Sequence, residues 1–345
     1  MNILLNVDQE IGGVDYHRML IPHYNLDYKI FQHVKIDTSD SDSLTRELKQ
    51  REIDIIVFSR QLSFEDNTES MIKAIHKAGT KIVLDIDDYW VLDINHQLYE
   101  LYKKQKTHEK VIKAIKGADL VTCTNDRLYE HISKLNKNCE ILPNAIDKSQ
   151  PQFKPKKLVS NKFRLGWSGG SNHVPDIELL EGCCKKIANT NLDVQLVLCG
   201  FKEDPIYKYF RFVFSGRYYK TSHIKTVSST DVYNYATGYN YFDYSIIPLR
   251  ANEFNRCKSF LKVLESAFMD CGVIVSKTLP YTELCNEKNS ILVSSKQGFY
   301  KAVKKLKDNP SLRDDLKEQL KEDCKPYEIQ KVNVKRKQLY ESLSN

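Results

Sequence analysis

The stretch DYSIIPLRANEFNRCKSFLKVLESAFMDCGVIVS, residues 243–276, decides the fold that we expect for this chain. An apolar run ends at Pro248, a polar loop and a helix-like segment follow, and a second apolar run begins after Gly272. This order predicts a strand, a loop, a helix and a strand. Short β-rich runs alternate with helical patterns along the rest of the chain in the same way, which predicts an α/β fold with parallel sheets covered by helices.

Three charged side chains of this stretch are candidates for a ligand site. We expect the helix to start near Asn255, whose side chain can cap it. Lys258, Lys262 and Glu265 then share one face, because they are spaced by four and three residues. Two ammonium groups near a helix N-terminus suit a diphosphate, and a carboxylate one turn further on suits the hydroxyls of a ribose. The same pattern fits a solvent-exposed face with an ordinary ion pair, and the charges alone leave both interpretations open.

Length and composition indicate a globular protein of about two domains. The chain has 345 residues, of which 41% are hydrophobic and 28% charged. Since no run of about 18 apolar residues occurs and the N-terminus lacks a secretory pattern, we expect no membrane-spanning helix and no signal peptide. Nine cysteines without a CxxC pair, several inside apolar runs, predict buried thiols and a cytoplasmic protein.

The net charge of +7 is unevenly distributed. Residues 1–150 hold 20 Lys and Arg against 24 Asp and Glu, whereas the remainder holds 32 against 21. A basic second half fits a nucleic acid, an anionic membrane surface or a phosphorylated ligand. Much of the excess falls in the last 45 residues, where a Lys-rich amphipathic helix accounts for it, so we do not expect a nucleic-acid ligand.

The chain is expected to divide after residue 155. The segment 148–160 contains two prolines, several lysines and little apolar material, which is typical of a linker. We therefore predict a first Rossmann-like domain over residues 1–155 and a second over residues 156–326.

An acidic group follows one strand of the first domain. The strand predicted over Lys81–Leu84 continues into Asp85, Asp87 and Asp88, and three carboxylates at a strand end are costly to bury without partners. They fit metal ligands, a catalytic or acceptor-binding group, or a helix-capping turn. The spacing does not choose among these roles.

Two glycine pairs follow predicted strands. Gly12 and Gly13 come after the strand Asn2–Val7, with Arg18 near the start of the next helix. Gly169 and Gly170 come after the strand Phe163–Trp167. Ligands bind at the carboxyl ends of parallel strands, and glycines there let the backbone approach a phosphate, but each pair also fits a simple turn.

An aromatic and basic segment, residues 207–220, is open to two interpretations. Its rings fit stacking on sugars or bases, and they fit a hairpin or a half-buried amphipathic element equally well.

Several of these pieces together resemble one enzyme family. Their order is the glycine pair with Tyr16-x-Arg18, LDIDDYW from residue 84, ILPNAID from 141, GWSGGSNHVPDIELL from 166 and IIPLRANEFNRCKSFLKVLE from 246. This order resembles the retaining nucleotide-sugar glycosyltransferases of the two-Rossmann (GT-B) fold, related to the bacterial group 1 enzymes. The similarity covers most of the chain.

The resemblance implies two Rossmann-like domains facing a central cleft, with an acceptor in the first and a nucleotide sugar in the second. A final helix, residues 327–345, is expected to pack back on the first domain. Sugar transfer with retention of configuration is implied, without a metal or another cofactor. The implied donor-binding residues are Gly169, Gly170, Ser171, Arg250, Lys258, Ser259, Lys262 and Glu265; the acceptor-binding residues are Gly12, Gly13, Tyr16 and Arg18; the catalytic residues are Asp87, Asp88 and Glu265.

The chain departs from the family pattern at two places. Cys257 stands eight residues before Glu265, where the family has an acid, and the basic residues expected around Gly166–His173 have no clear counterpart. A non-catalytic sugar-nucleotide or glycan-binding relative, and a nucleotide-sugar 2-epimerase, are therefore alternatives.

The resemblance implies a glycan, a lipid-linked compound or another hydroxyl compound as the acceptor. A lipid-linked acceptor would bring a peripheral membrane contact, although the acidic first half of the chain does not favour one.

Overall fold

Two parallel sheets of six strands each form the computed structural model of this protein. The structure describes residues 1–7, 10–32, 40–63, 65–94, 96, 98–170, 173–190, 192–201, 213, 224–228 and 230–343. The chain divides into two compact units. The first unit comprises Met1–Ala145, Cys257–Ser259 and Ile329–Asn345, and the second comprises Ile146–Arg256 and Phe260–Glu328.

The sheet of the first unit has the order β2-β1-β3-β4-β5-β6. Its strands are β1 Asn2–Asn6, β2 Lys29–Phe31, β3 Ile55–Ser59, β4 Lys81–Ile86, β5 Leu120–Cys123 and β6 Cys139–Ile141. All their pairings are parallel. Because helices cover both faces of such a sheet, its central strands are mainly apolar, and β3 and β4 are almost entirely buried.

The helices of this unit up to residue 145 are α1 Ile21–Tyr24, α2 Ser41–Gln50, α3 Thr68–Ala78, α4 Tyr99–Lys104, α5 Thr107–Gly117 and α6 Asp126–Ile132. A π-helical turn, Asp15–Leu20, leads into α1. The single helix predicted after the first strand is thus present as a wider turn followed by a short α-helix.

The sheet of the second unit has the order β12-β11-β10-β7-β8-β9, again with parallel pairings. Its strands are β7 Phe163–Ser168, β8 Val194–Phe201, β9 Ile224–Ser228, β10 Tyr244–Ile247, β11 Gly272–Ser276 and β12 Ile291–Val293. Its helices are α7 Val174–Ile177, α8 Glu181–Asn189, α9 Glu253–Arg256, α10 Leu261–Phe268, α11 Lys296–Asp308 and α12 Pro310–Cys324. The aromatic and basic segment 207–220 lies outside the described residues, apart from Val213.

The last helix, α13 Ile329–Leu343, belongs to the first unit. Ile329 packs in one apolar cluster with Leu142 and Ala145. The Tyr340 hydroxyl lies 2.8 Å from Nε2 of His23, and buried Tyr340 packs with the apolar residues of β1 and β3. The Tyr340–His23 hydrogen bond and these apolar contacts therefore hold α13 to this unit.

The segment with linker composition is not loosely attached. The contacts divide the chain between Ala145 and Ile146, whereas the sequence suggested a division after residue 155. Gln152 and Phe153 are buried within the second unit, and Gln152 Nε2 donates to the Val232 carbonyl at 3.1 Å. The Lys157 ammonium also donates to the carbonyls of Tyr239 and Phe242, so specific contacts fix a stretch whose average composition is polar.

Candidate functional site

In the second unit, Lys262 lies at the carboxyl end of β7. Its ammonium group donates to the Ser168 carbonyl at 2.7 Å and lies 5.2 Å from the centre of the Trp167 ring. A Cβ atom added to Gly169 would lie 2.5 Å from that ammonium nitrogen, so only glycine fits there without a shift. A Cβ atom on Gly170 would meet no atom of the described residues within 4 Å. The predicted glycine loop and the predicted cation are thus adjacent. Ser171, the third predicted member of the loop, lies outside the described residues.

Glu265 lies one turn after Lys262 on α10 and is only 6% exposed. The hydroxyl of Tyr235 donates to one carboxylate oxygen at 2.6 Å, and that of Tyr239 donates to the other at 2.7 Å. Burial raises the pKa of Glu265 above its ordinary value, against the opposing effect of the two tyrosine bonds and the Lys262 charge. The sequence did not single out these tyrosines, because their turn, Tyr235–Tyr241, precedes Glu265 by about 30 residues.

Arg250 has an acidic environment. Its backbone N–H donates to Asp176 at 2.9 Å, and its guanidinium pairs with Glu178. The Asn255 side chain, predicted as a helix cap, instead donates to Asp176 and to the Arg250 carbonyl. His173 is also paired with Asp176, at 3.0 Å. These contacts hold the loop after β10 beside α7.

The helix of the opening stretch begins at Leu261, so the prediction of a start near Asn255 is wrong. The chain forms the short helix α9, leaves it after Arg256 and enters α10 five residues later. In a continuous helix the carbonyls of Cys257 and Lys258 would accept from the N–H groups four residues on. Here both carbonyls accept from the Asn125 side chain, at 2.9 and 3.1 Å. Asn125 therefore replaces the helical bonds at this point.

This break separates Lys258 from the face that it was predicted to share. Lys258 and Ser259 belong to the first unit, where the Asn144 side chain donates to the Ser259 hydroxyl at 2.7 Å. Lys262 and Glu265 remain in the second unit. Cys257, at the position of the missing family acid, is completely buried in the apolar core of the first unit.

Arg60 links the predicted catalytic acids of the first unit. Its guanidinium donates to both oxygens of Asp87, at 2.7 and 3.1 Å, and to Asp88 at 3.2 Å. The ammonium of Lys258 lies 3.6 Å from the other oxygen of Asp88. Burial alone would raise the pKa of Asp87, but the charge and hydrogen bonds of Arg60, with the charges of Arg18 and Lys258, hold it below its ordinary value.

Arg60 had no signal in the sequence beyond its position after a predicted strand. Its φ of +63° is in the left-handed region, which costs free energy for a residue with a side chain. Its N–H donates to the Asp85 carbonyl at 2.9 Å, and this bond, with the two carboxylates, holds the conformation.

His96 completes the polar group around Asp88. Leu98 N donates to His96 Nδ1 at 3.1 Å, which assigns the ring proton of the neutral form to Nε2. Burial and the charge of Lys258 lower the pKa of His96, against the opposing effect of Asp88. The imidazole is therefore neutral near pH 7 and can donate or receive a proton beside the acids.

Two predicted acceptor-binding residues, Tyr16 and Arg18, are buried in the first unit at 1% and 2% exposure. Arg18 binds both oxygens of Asp85 at 2.8 and 2.7 Å and donates to the Leu142 carbonyl. Thr122 also donates to Asp85, so the first acid of the DxDD group is fully engaged in the interior. Gly12 and Gly13 precede this helical turn, and the Gly12 N–H donates to Asp15 at 3.1 Å.

Comparison with solved structures identifies the fold. Sucrose-phosphate synthase from Thermosynechococcus elongatus superposes with a TM-score of 0.71 at 14% identity, covering 99% of this chain and 98% of that one. The fold is GT-B. HepE from Anabaena in complex with UDP-glucose (TM-score 0.66, 13% identity, 99% of both chains) and a glycosyltransferase from Rickettsia africae (0.67, 12%, 99% and 98%) have the same GT-B fold. No protein-family model and no curated protein matches the sequence.

Within this GT-B fold, none of the nine cysteines forms a disulfide and all nine are buried, as predicted. Among the residues that the structure describes, no helix has both the length and the apolar character needed to span a bilayer.

The paired Asp87 predicts a specific pH dependence of stability. Since its folded pKa lies below the ordinary 3.8, its ionised form stabilises the fold above pH 4, and this contribution is lost as the pH falls through the folded pKa. We expect Asp87→Asn to lower the free energy of unfolding by about 1–2 kcal/mol at pH 7, and the deficit to shrink below pH 4. Urea titrations of both proteins at several pH values measure it.

The matched control is Asp42→Asn, at an 80% exposed carboxylate, which should change stability little at any of these pH values. A deficit of Asp87→Asn that stayed constant from pH 7 to pH 3 would contradict the pairing.

Proposed function

We propose that this protein is a glycosyltransferase that moves a sugar from a nucleotide-sugar donor to an acceptor hydroxyl. The observation that carries the proposal is the position of Lys262 against the Gly169-Gly170 loop, with Glu265 one turn further along the same helix. A cation, an open backbone and a carboxylate in this order match the diphosphate and ribose of a nucleotide sugar. The GT-B fold supports the same function.

The donor chemistry follows from these groups. A departing nucleoside diphosphate gains negative charge, and a fixed ammonium with backbone N–H groups stabilises that charge before the bond breaks. A carboxylate offers about four acceptor positions, so Glu265 can bind the ribose hydroxyls as well as its two tyrosines. The tyrosines fix the orientation of the carboxylate in advance, which reduces the entropy lost on binding.

The acceptor chemistry is assigned to the first unit. Arg60 and Lys258 keep Asp87 ionised. We therefore assign Asp87 the role of a hydrogen-bond acceptor that orients the substrate hydroxyl, or of a negative charge that faces developing positive charge. It is not suited to donate a proton near pH 7. His96 is better suited to proton transfer, because its imidazole is neutral there.

We further propose that configuration is retained and that no metal is required, as the family resemblance implies. Lys262 and the glycine loop can neutralise the leaving diphosphate, which is the role of a divalent cation in other transferases. The acceptor is a glycan, a lipid-linked sugar or another hydroxyl compound, and we place the protein in the cytoplasm.

Replacing Lys262 by alanine is expected to weaken UDP binding roughly 10- to 100-fold, the loss for one or two hydrogen bonds to a charged group. Isothermal titration calorimetry with UDP, GDP, CDP, dTDP and ADP measures this, after thermal shift has identified the best nucleotide. A ligand at 100 times its dissociation constant stabilises a protein by about 2.7 kcal/mol, which gives a clear shift. Unchanged affinity would return Lys262 to a structural role.

Two controls accompany this test. Lys301→Ala removes an exposed lysine of α11 and should leave binding unchanged. Gly170→Ala adds a methyl group where it meets no atom of the described residues, so it should fold normally but hinder a phosphate at the loop. Gly182→Ala, equally open in the first turn of α8, is its steric match and should bind normally.

A further inference from the structure

A pocket of about 280 Å³ lies in the first unit, between the loop after β4 and the helices α4 and α5. The residues that line it include none of the donor and acceptor groups assigned so far. Its walls include Trp90, Leu92, Tyr99, Tyr102, Lys103 and Lys106. Trp90 follows Asp88 by two residues, so the pocket begins where the acidic group at the end of β4 stops.

The helical wall of the pocket has a regular composition. Tyr99, Tyr102 and Lys103 lie at i, i+3 and i+4 on α4, Lys106 lies two residues after the end of this helix, and all four line the pocket. None of the six residues of α4 is buried, which is unusual for a helix in a compact unit. Burial in the core therefore does not explain this aromatic and basic stripe.

Trp90 contributes a rigid aromatic surface. Its side chain is 7% exposed, and its ring centre lies 5.1 Å from that of Tyr89 and 6.5 Å from that of His131. A ring fixed by two aromatic neighbours loses little entropy when a ligand packs on it.

The size and chemistry of the pocket define a class of ligand. Pockets for drug-sized ligands measure roughly 300–1,000 Å³, so this pocket suits a single ring. Its aromatic side chains can pack on the apolar face of such a ring, and its tyrosines offer hydroxyls. His108 and Glu109 provide further hydrogen-bonding groups, and the two lysines favour an anion. A pyranose ring with a phosphate or carboxylate substituent matches these groups.

We propose that this pocket binds a sugar ring of the acceptor that carries a phosphate or a carboxylate. The inference rests on the proposed glycosyltransferase function and adds to it the class of acceptor.

The two tryptophans of the chain give a separate reporter for each unit, since Trp90 lines this pocket and Trp167 contacts Lys262. In the variant Trp167→Phe, we expect glucose 6-phosphate and glucuronate to change the Trp90 fluorescence saturably, with at least tenfold higher affinity than glucose. In that background, Lys103→Gln combined with Lys106→Gln should weaken binding of the charged sugars roughly tenfold. The melting temperature of the unsubstituted protein with each sugar gives the same comparison without any change to the chain.

The control variant is Lys73→Gln with Lys77→Gln, two exposed lysines of α3, which should leave all three affinities unchanged. The proposal is overturned if no sugar gives a saturable change both in Trp90 fluorescence and in melting temperature. It is also overturned if glucose binds as tightly as the charged sugars. A shift of Trp90 emission with phosphatidylglycerol vesicles but not with sugars would overturn it in favour of a lipid surface.

The donor assignment is tested separately in Trp90→Phe, where UDP, GDP, CDP, dTDP and ADP are each titrated and at least one should change the Trp167 signal. If none of the five has an effect there while charged sugars act on Trp90, the proposed donor site fails and the pocket remains a sugar site. If a nucleotide acts and the sugars do not, the pocket proposal fails and the donor site remains.

Discussion

Glu265→Gln is expected to lower glycosyl transfer by about 100-fold or more while the protein remains folded. The amide has the same size as the carboxylate, but only one of its two polar atoms accepts hydrogen bonds. Tyr235 and Tyr239 donate to the two carboxylate oxygens at 2.6 and 2.7 Å, so each side of the Glu265 side chain already needs an acceptor atom. In the glutamine variant, a ribose hydroxyl therefore finds no acceptor or displaces one of the tyrosines. Transfer or hydrolysis of the donor identified by thermal shift measures the effect.

The matched control is Glu322→Gln, an exposed carboxylate of α12 paired with Lys325, which should transfer sugar at the original rate. Near-normal turnover of Glu265→Gln would remove Glu265 from the donor site. Product analysis of the original protein without an added acceptor also distinguishes transfer from 2-epimerisation, because only an epimerase would then convert one nucleotide sugar into another.

Arg18→Met is expected to destabilise the first unit by about 3–5 kcal/mol, because it leaves the buried Asp85 carboxylate without its cation. The side chains of this pair are 2% and 4% exposed, so solvent does not replace the lost partner. Chemical denaturation followed by circular dichroism measures the change. This is the largest stability effect that we expect from any single substitution named here.

The double variant Arg18→Met with Asp85→Leu tests the cause of that loss. Replacing a buried ion pair by apolar side chains is often close to neutral, so the double variant should recover much of the stability. If it were as unstable as the single variant, the bonds from Arg18 to the Leu142 carbonyl and Asn144 would be the main contribution. In either case Arg18 stabilises the interior, and its role in acceptor binding stays a prediction.

Local patterns in the sequence predicted most of the secondary structure. The parallel strands are short apolar runs that end in polar or small residues, and runs such as Ile55–Ser59 and Gly272–Ser276 are recognisable because both faces of the sheet are buried. The order of these runs and the spacing of the motifs also indicated the two-domain fold. Lys262 and the glycine pair, which lie in different strand–helix units, were predicted together because the family resemblance assigns both to the donor site.

The polar groups that sequence reasoning missed depend on distant partners. Arg60 meets Asp87 across the neighbouring ends of β3 and β4, and its left-handed backbone has no counterpart in local propensity. Tyr235 and Tyr239 reach Glu265 from a turn that carries no motif. Neither arrangement leaves a periodic pattern, because each is made by one or two side chains.

The sequence by itself determined the two α/β domains, the glycine loop and the pair Lys262 and Glu265, since strand periodicity and helical spacing are local properties of the chain. Only the tertiary structure decided that the helix of the opening stretch begins at Leu261 and that Lys258 lies beside Asp88. The physical reason is a competition for hydrogen bonds. The carbonyls of Cys257 and Lys258 accept from Asn125, more than 130 residues earlier, instead of from their own helix.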